Sequence, residues 1–147
     1  MAPRAWWWVF YCPHDTYNKT PWKIGFKDWW TANTKTREGD YAFLYVRAPI
    51  SALVGLFEVV SDARRDDAVR ASWHHPWVSN VRVECLFEQP LKLTTMRNDE
   101  ELWKEWGLVR ANFQAPSGAP PRVPLEVLPI LAKYIPVLQP YVHISSR

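Results

Sequence analysis

The sequence predicts an α+β domain built as a small barrel of five to six strands flanked by short helices. Three observations carry this: β-prone aromatic and branched runs recur between residues 6 and 87, turn residues separate them, and the clearest helical spacing falls near the C-terminus. The 147 residues suit one domain spanning 1–147, large enough to bury a core without disulfide or metal.

The first strand is expected over Trp6 to Tyr11 (WWWVFY), closed by Pro13 and read as a buried central strand. Alternation along it sends Trp7 to one face and Trp6 and Trp8 to the other, so these three indoles are read as core. From His14 to Arg37 no long apolar repeat occurs. That segment reads as connection with one short helix, followed by the turn signal Arg37-Glu38-Gly39-Asp40. Tyr41 to Val46 (YAFLYV) and Leu53 to Val60 (LVGLFEVV) flank RAPISA and predict an antiparallel hairpin, with Gly55 marking a bulge or a close backbone approach.

Ser61 to Arg70 is polar and doubly charged, a solvated loop or one helical turn. Val78 to Phe87 alternates Val81, Val83 and Cys85 with Arg82 and Glu84, which predicts a strand with one wet face. A short helix follows over Thr94 to Glu105, with Asn98 or Asp99 as N-cap. Arg110 to Pro121 is a Pro-, Gly- and Ser-rich loop that must be mobile or held against something. In Pro124 to Tyr134, Leu125, Leu128 and Leu131 have helical spacing, and Pro129 falls within the first turns. The strands are expected in antiparallel order, with no repeat and no second domain.

Apolar residues at 48% and charged residues at 22% are ordinary for a soluble domain, whereas ten tryptophans are several times the usual share. Cys12 and Cys85 lie too far apart for a zinc knuckle or disulfide framework and read as buried thiols in a reducing cytoplasm. The run AWWWVFY is too short for a signal or membrane segment, so a soluble cytoplasmic protein with no membrane partner is expected. A net charge of +3 permits nucleic acid without identifying it.

Enzymatic chemistry finds little support. Asp66-Asp67 and Glu100-Glu101 lie in charged runs, and His14, His74, His75 and His143 stand in no Gly-x-Ser-x-Gly or His-Glu-x-x-His context. Cys12, Cys85 and the histidines have no metal-ligand spacing, and the five glycines are scattered singly rather than forming a phosphate loop. The expectation is a protein with no catalytic residue, no metal and no cofactor.

The tryptophans remain. Adjacent Trp29 and Trp30 cannot both face inward on one element, so one of them covers a surface or an edge. Trp103 and Trp106 are read as core. Trp22, Trp73 and Trp77 differ, because each lies beside proline or in a polar stretch, the last two in ASWHHPWVS. Loop indoles suit the sandwiching of a flat base, worth roughly 1–3 kcal/mol per stacked base. Only a single-stranded or flipped-out base has free faces to offer.

The ordered set WWWVFYC, TPWKIG, EGDYAFLYV, ALVGLFEVVSDA, WHHPWVSNVRVECLFEQPL and RVPLEVLPILAKYI resembles the YTH and EVE domains of the PUA-like superfamily, over most of the chain. The resemblance implies a twisted β-barrel flanked by helices, with an aromatic cage for a modified base. In YTH readers that base is adenine methylated on its exocyclic amine, in RNA; EVE-type domains are associated with modified DNA or RNA bases, including methylated cytosine. By this resemblance Trp22 and Trp73 match cage tryptophans and Trp77 falls near a third wall. Tyr11 and Cys12 stand where YTH readers use Lys-Ser against the base, and Asn18, or Tyr17 beside it, stands where an Asn bonds the purine. Arg110 matches an arginine that grips the phosphate backbone; independently of the resemblance, Lys23 is expected as a further phosphate contact because it shares its connection with a loop aromatic. Lys19, Lys27 and Arg122 come from the same connections.

The expected function is a monomeric, non-enzymatic reader of N6-methyladenine in single-stranded RNA. Alternatives are a reader of modified DNA bases such as 5-methylcytosine, a pocket for a free nucleoside or small ligand, and a module that meets a protein through its tryptophans. Methylated RNA or DNA is the expected partner, with an effector protein acting beside it.

Overall fold

The protein is described by a computed structural model covering residues 4–68, 76–115 and 118–147. There are six strands, β1 (Trp7–Cys12), β2 (Lys27–Thr31), β3 (Tyr41–Val46), β4 (Ala52–Val59), β5 (Arg64–Arg65) and β6 (Trp77–Lys92), and all but the two-residue β5 are set by aromatic and branched residues. They form one mixed sheet in the order β1-β3-β4-β6-β2, with β5 paired to β6, curled into a half-barrel with short helices beside it. No described helix is long and apolar enough to cross a membrane.

Alternation gives the sheet two cores. Trp7, Val9, Phe43, Tyr45, Leu53 and Leu56 point to one face, where Met96, Leu102, Trp106, Val127 and Leu131 of the later helices cover them. Trp8, Phe10, Leu44, Val54, Phe57 and Val83 fill the other face. Trp7 and Trp8 are 0% and 2% exposed, as the alternation predicts, whereas Trp6, also read as core, is only half-buried against the second core. At about 25 cal/mol per Å² and 150–250 Å² per ring, each indole contributes about 4–6 kcal/mol as an upper bound.

β3 and β4 form the expected antiparallel hairpin. Gly55 matches its prediction on both counts: the register shifts around it, and a Cβ there would stand 2.9 Å from the Cys85 carbonyl oxygen. β6 keeps Val81, Val83 and Cys85 inward and Arg82 and Glu84 partly wet, and Arg82 pairs with Glu58 at 2.5 Å and Glu84 at 2.8 Å. β6 also runs past the expected end at Phe87. Residues 87–90 bulge opposite Val54, and the strand then pairs again through Leu91 and Lys92.

Four expectations are corrected. The strands are not all antiparallel: β1 pairs with β3 in parallel, because residues 13–40 make a crossover long enough to allow it. β1 is buried on both faces but ends the strand order instead of lying centrally. The connection after β1 holds the expected helix, His14–Lys19, and also β2, which no apolar repeat announced. Trp103 is 41% exposed, with the Arg97 guanidinium 4.9 Å from its ring centre, whereas Trp106 is core at 2%.

Later elements follow the sequence closely. The Thr94–Glu105 stretch splits into helices Leu93–Arg97 and Glu100–Glu105, and Asp99 caps the second by accepting from the Leu102 N–H at 2.9 Å. Residues 125–134 form a 3-10 turn, Leu125–Val127, and a helix, Leu128–Tyr134, with Pro129 in its first turn. The Pro-rich loop is held against β1: the Val9 N–H donates to Pro121 O at 2.9 Å and the Val123 N–H to Trp7 O at 2.7 Å.

One buried charge organises the start of β1 and β3. Asp40 is 0% exposed and accepts from the Trp6 N–H, the Trp8 indole at 2.9 Å, the Arg37 N–H and the Arg147 guanidinium at 2.9 Å. Trp6 in turn lies under the Arg122 and Arg147 guanidinium groups, at 3.9 and 4.0 Å. Removing the carboxylate would strand several buried donors at once. Asp40→Ala is expected to lower stability by about 3–5 kcal/mol, read as a shifted urea midpoint with an unchanged slope.

Candidate functional site

The half-barrel leaves a seam between its two end strands, and the backbone accounting shows where it opens. Odd-numbered residues of β1 direct their N–H and C=O groups away from β3, since the even-numbered Trp6 and Cys12 carbonyls accept from Tyr41 and Arg47. Residues 121–123 satisfy the first half of that edge, at Trp7 and Val9. At its far end the Trp30 indole N–H, from β2, donates to Tyr11 O at 2.9 Å. One side chain therefore ties the two end strands together.

Beside that tie lies a cavity of ≈ 280 Å³, walled by Tyr11, Trp29, Trp30, Thr31 and Arg47, with Asp28 facing it. Pro120 and Gly118 close it from the loop, and that loop is pinned by the Asn33 side-chain amide donating to Pro120 O at 3.2 Å. β2 builds the aromatic wall by alternation. Trp30 is 8% exposed and Trp29 41%, so one of the adjacent pair does cover an edge. Because Phe26 O and the Ala32 N–H pair toward β6, the main-chain groups of Thr31 point into the seam.

Tyr11 brings a ring and a hydroxyl. Its ring meets Tyr45 edge-on at 5.9 Å, and the Arg47 guanidinium carbon stands 4.7 Å from its centre. The hydroxyl is buried with no hydrogen-bond partner among the described residues. Burial pushes the phenol well above its ordinary pKa, against the opposing charge of Arg47. The group stays protonated at neutral pH and is an available donor.

Of the residues singled out from sequence, Tyr11 lines the cavity. Trp22 stands behind the wall: its ring packs 5.9 Å from Trp30 and 6.1 Å from Phe57, and its indole donates to Tyr17 O at 2.9 Å. Cys12 faces the second core at 0% exposure. Asn18 meets His14 at 3.1 Å, and Lys23 is exposed before β2. Arg110 binds the Trp103 and Lys104 carbonyls. Trp77 opens β6, where its carbonyl accepts from the Ala32 N–H at 2.9 Å. Trp73, His74 and His75 lie outside the described residues. Sequence reasoning did not place Trp29 and Trp30 at the site. The signal that could have found them was the adjacency of two indoles in a short β-prone segment.

A model of the EVE domain matches residues 8–115. The chain belongs to the EVE domain family. The EVE match includes nearly all of β1 and the whole of β2 to β6, while Gly118 and Pro120 of the closing loop lie beyond it. No curated protein matches the chain. Among solved structures, Rpa0253 from Rhodopseudomonas palustris is similar with a TM-score of 0.69 and 18% identity, over 95% of this chain and 99% of that one. Human THYN1, solved in complex with 5-methylcytosine containing DNA, gives 0.62 and 12%, over 88% of this chain and 97% of that one. ASCH from Zymomonas mobilis gives 0.55 and 9%, over 88% and 95%. At these identities the likeness is one of fold.

The thiol beside the seam has a checkable property. Burial pushes Cys12 up to about 12 and, with Glu84 adding to it, Cys85 up to about 11. Both are therefore thiols rather than thiolates at pH 8. Native protein is expected to take up almost no iodoacetamide at pH 8, and urea-unfolded chain to label at both cysteines, as read by mass spectrometry.

Proposed function

We propose that this EVE domain is a non-enzymatic reader of a methylated nucleobase, received in the seam cavity against Trp29, Trp30 and Tyr11. The observation that carries the proposal is the cavity itself, an aromatic slot of ≈ 280 Å³. That lies just under the small end of ligand pockets, about 300–1,000 Å³, and suits one base better than a whole nucleotide. Family membership supports the reading, as does the likeness of fold to THYN1, which was solved with 5-methylcytosine containing DNA.

The base enters single-stranded or flipped, since a stacked base has no free face. N6-methyladenine in single-stranded RNA and 5-methylcytosine in DNA are the two ligands to compare, and the THYN1 complex favours testing the second first. Trp73 and Trp77 stay in the proposal as a further wall. Trp77 meets the end of β2 on the β6 side, where its carbonyl accepts from the Ala32 N–H, so as a wall it would reach the cavity around that end of the strand. Trp22 supports the wall by holding Trp30 in place. Lys23 and Arg110, with Lys27 on β2, supply positive charge for a strand, and the backbone near Cys12 and the side chain of Asn18 remain proposed edge contacts.

Tryptophan fluorescence can follow titration with short RNA and DNA oligonucleotides, each with and without one methylated adenine or cytosine. One methylated form is expected to bind about tenfold more tightly, roughly 1.4 kcal/mol. Trp29→Ala is expected to cost about 1–3 kcal/mol of binding with little change in melting temperature. Trp73→Ala is expected to remove the preference for the methylated form, whereas equal loss of methylated and unmethylated binding would argue against a cage. Affinity independent of oligonucleotide length and salt would point instead to a free nucleoside or small ligand.

A further inference from the structure

Thr31 is the one residue lining the cavity that keeps both its main-chain N–H and its C=O without a partner among the described residues. Its neighbours in the wall are already bonded. Asp28 and Trp30 direct their main-chain groups to β6, and the Trp29 N–H donates to Asp28 Oδ1 at 2.8 Å. Across the seam Tyr11 O accepts from the Trp30 indole, and the Arg47 N–H donates to Cys12 O. The strand edge at Thr31 is therefore an unmet donor and acceptor inside an aromatic slot.

The strand fixes the geometry of that pair. In an extended residue the N–H and C=O leave the chain on the same side, in the plane of the sheet. One residue thus presents both groups side by side to one ligand edge. Trp29 and Trp30 are consecutive, so they leave opposite faces of the same strand. A flat ligand lying in the sheet plane at Thr31 has an indole on each side and a donor beside an acceptor at its edge.

A nucleobase has the matching edge: N4–H beside N3 in cytosine, N3–H beside O4 in thymine, N6–H beside N1 or N7 in adenine. Either order meets Thr31, because the base can be turned over between the indoles, so amino and keto bases are served alike. What the contact requires is an edge that is unpaired and chemically intact. A methyl on cytosine C5 leaves it intact, and N6-methyladenine keeps one N–H beside a lone pair. A methyl on N3 of a pyrimidine removes one member of the pair.

We propose that Thr31 reads the bound base through its main chain, and that the ligands of this site are bases modified away from the edge it meets. The proposal rests on the seam cavity being a base pocket. It adds what stacking cannot supply, because an indole face accepts every base alike, whereas an N–H and C=O covered by a ligand but left unmet are penalised.

Deleting one group at a time, on ligand and protein, tests it. Single-stranded DNA with one 5-methylcytosine is titrated against the full chain beside the same strand carrying 3-deaza-5-methylcytosine, in which a C–H replaces the N3 lone pair. RNA with one N6-methyladenine is compared in the same way with its 1-deaza and 7-deaza analogues. The wild-type protein is expected to bind the deaza analogue that lacks the contacting nitrogen about tenfold more weakly than the parent base. Thr31→Pro deletes the N–H without breaking a ladder bond, because that N–H faces away from β6. It is expected to bind parent and analogue alike, while Thr31→Val keeps the N–H and the preference. In the wild-type protein the Thr31 amide proton resonance is expected to move downfield with the parent base and not with that analogue, a reading independent of whether the proline variant folds. Wild-type binding that is sensitive to Trp29→Ala yet treats parent and every deaza analogue alike overturns the proposal. So does a preference that survives in folded Thr31→Pro, or a Thr31 amide unmoved by the parent base. Oligonucleotide binding insensitive to Trp29→Ala, or no binding of any probe, overturns the base-pocket reading instead, and this proposal with it.

Discussion

The hydrogen bond from the Trp30 indole to the Tyr11 carbonyl is the contact on which the site depends. A sheet in the order β1-β3-β4-β6-β2 has two unpaired edges, and unpaired edges are a liability in water. Here residues 121–123 cover the first part of the β1 edge, and an indole bridges what remains to β2. Such a bond contributes only about 0.5–1.5 kcal/mol net. Its larger effect is geometric: a side-chain bridge holds two strand edges farther apart than a ladder would, and the space kept open is the cavity. A backbone ladder between β1 and β2 would have closed the barrel and removed the site.

Rigidity of the wall follows from what stands behind it. Trp30 packs on Trp22 and Phe57 at ring distances of 5.9 and 5.4 Å, and Trp22 is itself fixed by its bond to Tyr17 O. Tyr11 is braced by Tyr45, whose ring stacks on Phe113 at 4.4 Å. The Trp30 and Tyr11 walls are thus each backed by a chain of aromatic contacts reaching one of the two cores. A slot held open by its scaffold does not have to form when a ligand arrives, so less of the binding energy is lost to ordering. Asp40 acts one level deeper, because it aligns the starts of β1 and β3 and so sets where Tyr11 falls at the end of β1.

The legible parts of the fold were those in which one periodicity dominates. β1, β3, β4 and the first half of β6 announce themselves by runs of aromatic and branched residues, and Asp99 by its place before Leu102 and Trp103. The family resemblance was legible too, as an ordered set of segments. Position within the sheet was not: nothing local in WWWVFY says that its partner lies beyond a crossover, so parallel pairing with β3 could not be read. β2 was missed because an end strand of five residues, KDWWT, has one exposed edge and no alternating apolar pattern. Trp103 was misplaced because helical spacing to Leu102 says nothing about which side of a six-residue helix meets the core. At the site, Tyr11 was singled out, but Trp29, Asp28 and Arg47 reach the cavity through folding of distant segments together.

The adjacency of Trp29 and Trp30 then acquires a physical reason. On a strand paired on both sides, adjacent residues serve opposite faces and never share a site. β2 has a free edge, and a cavity at that edge can be lined by both faces of the strand at once, as Asp28, Trp29, Trp30 and Thr31 all line this one. The inner indole closes the barrel and the outer one remains 41% exposed beside the cavity. An end strand is therefore the place in such a barrel where four consecutive residues can combine stacking surface, a carboxylate and main-chain polar groups against one planar ligand.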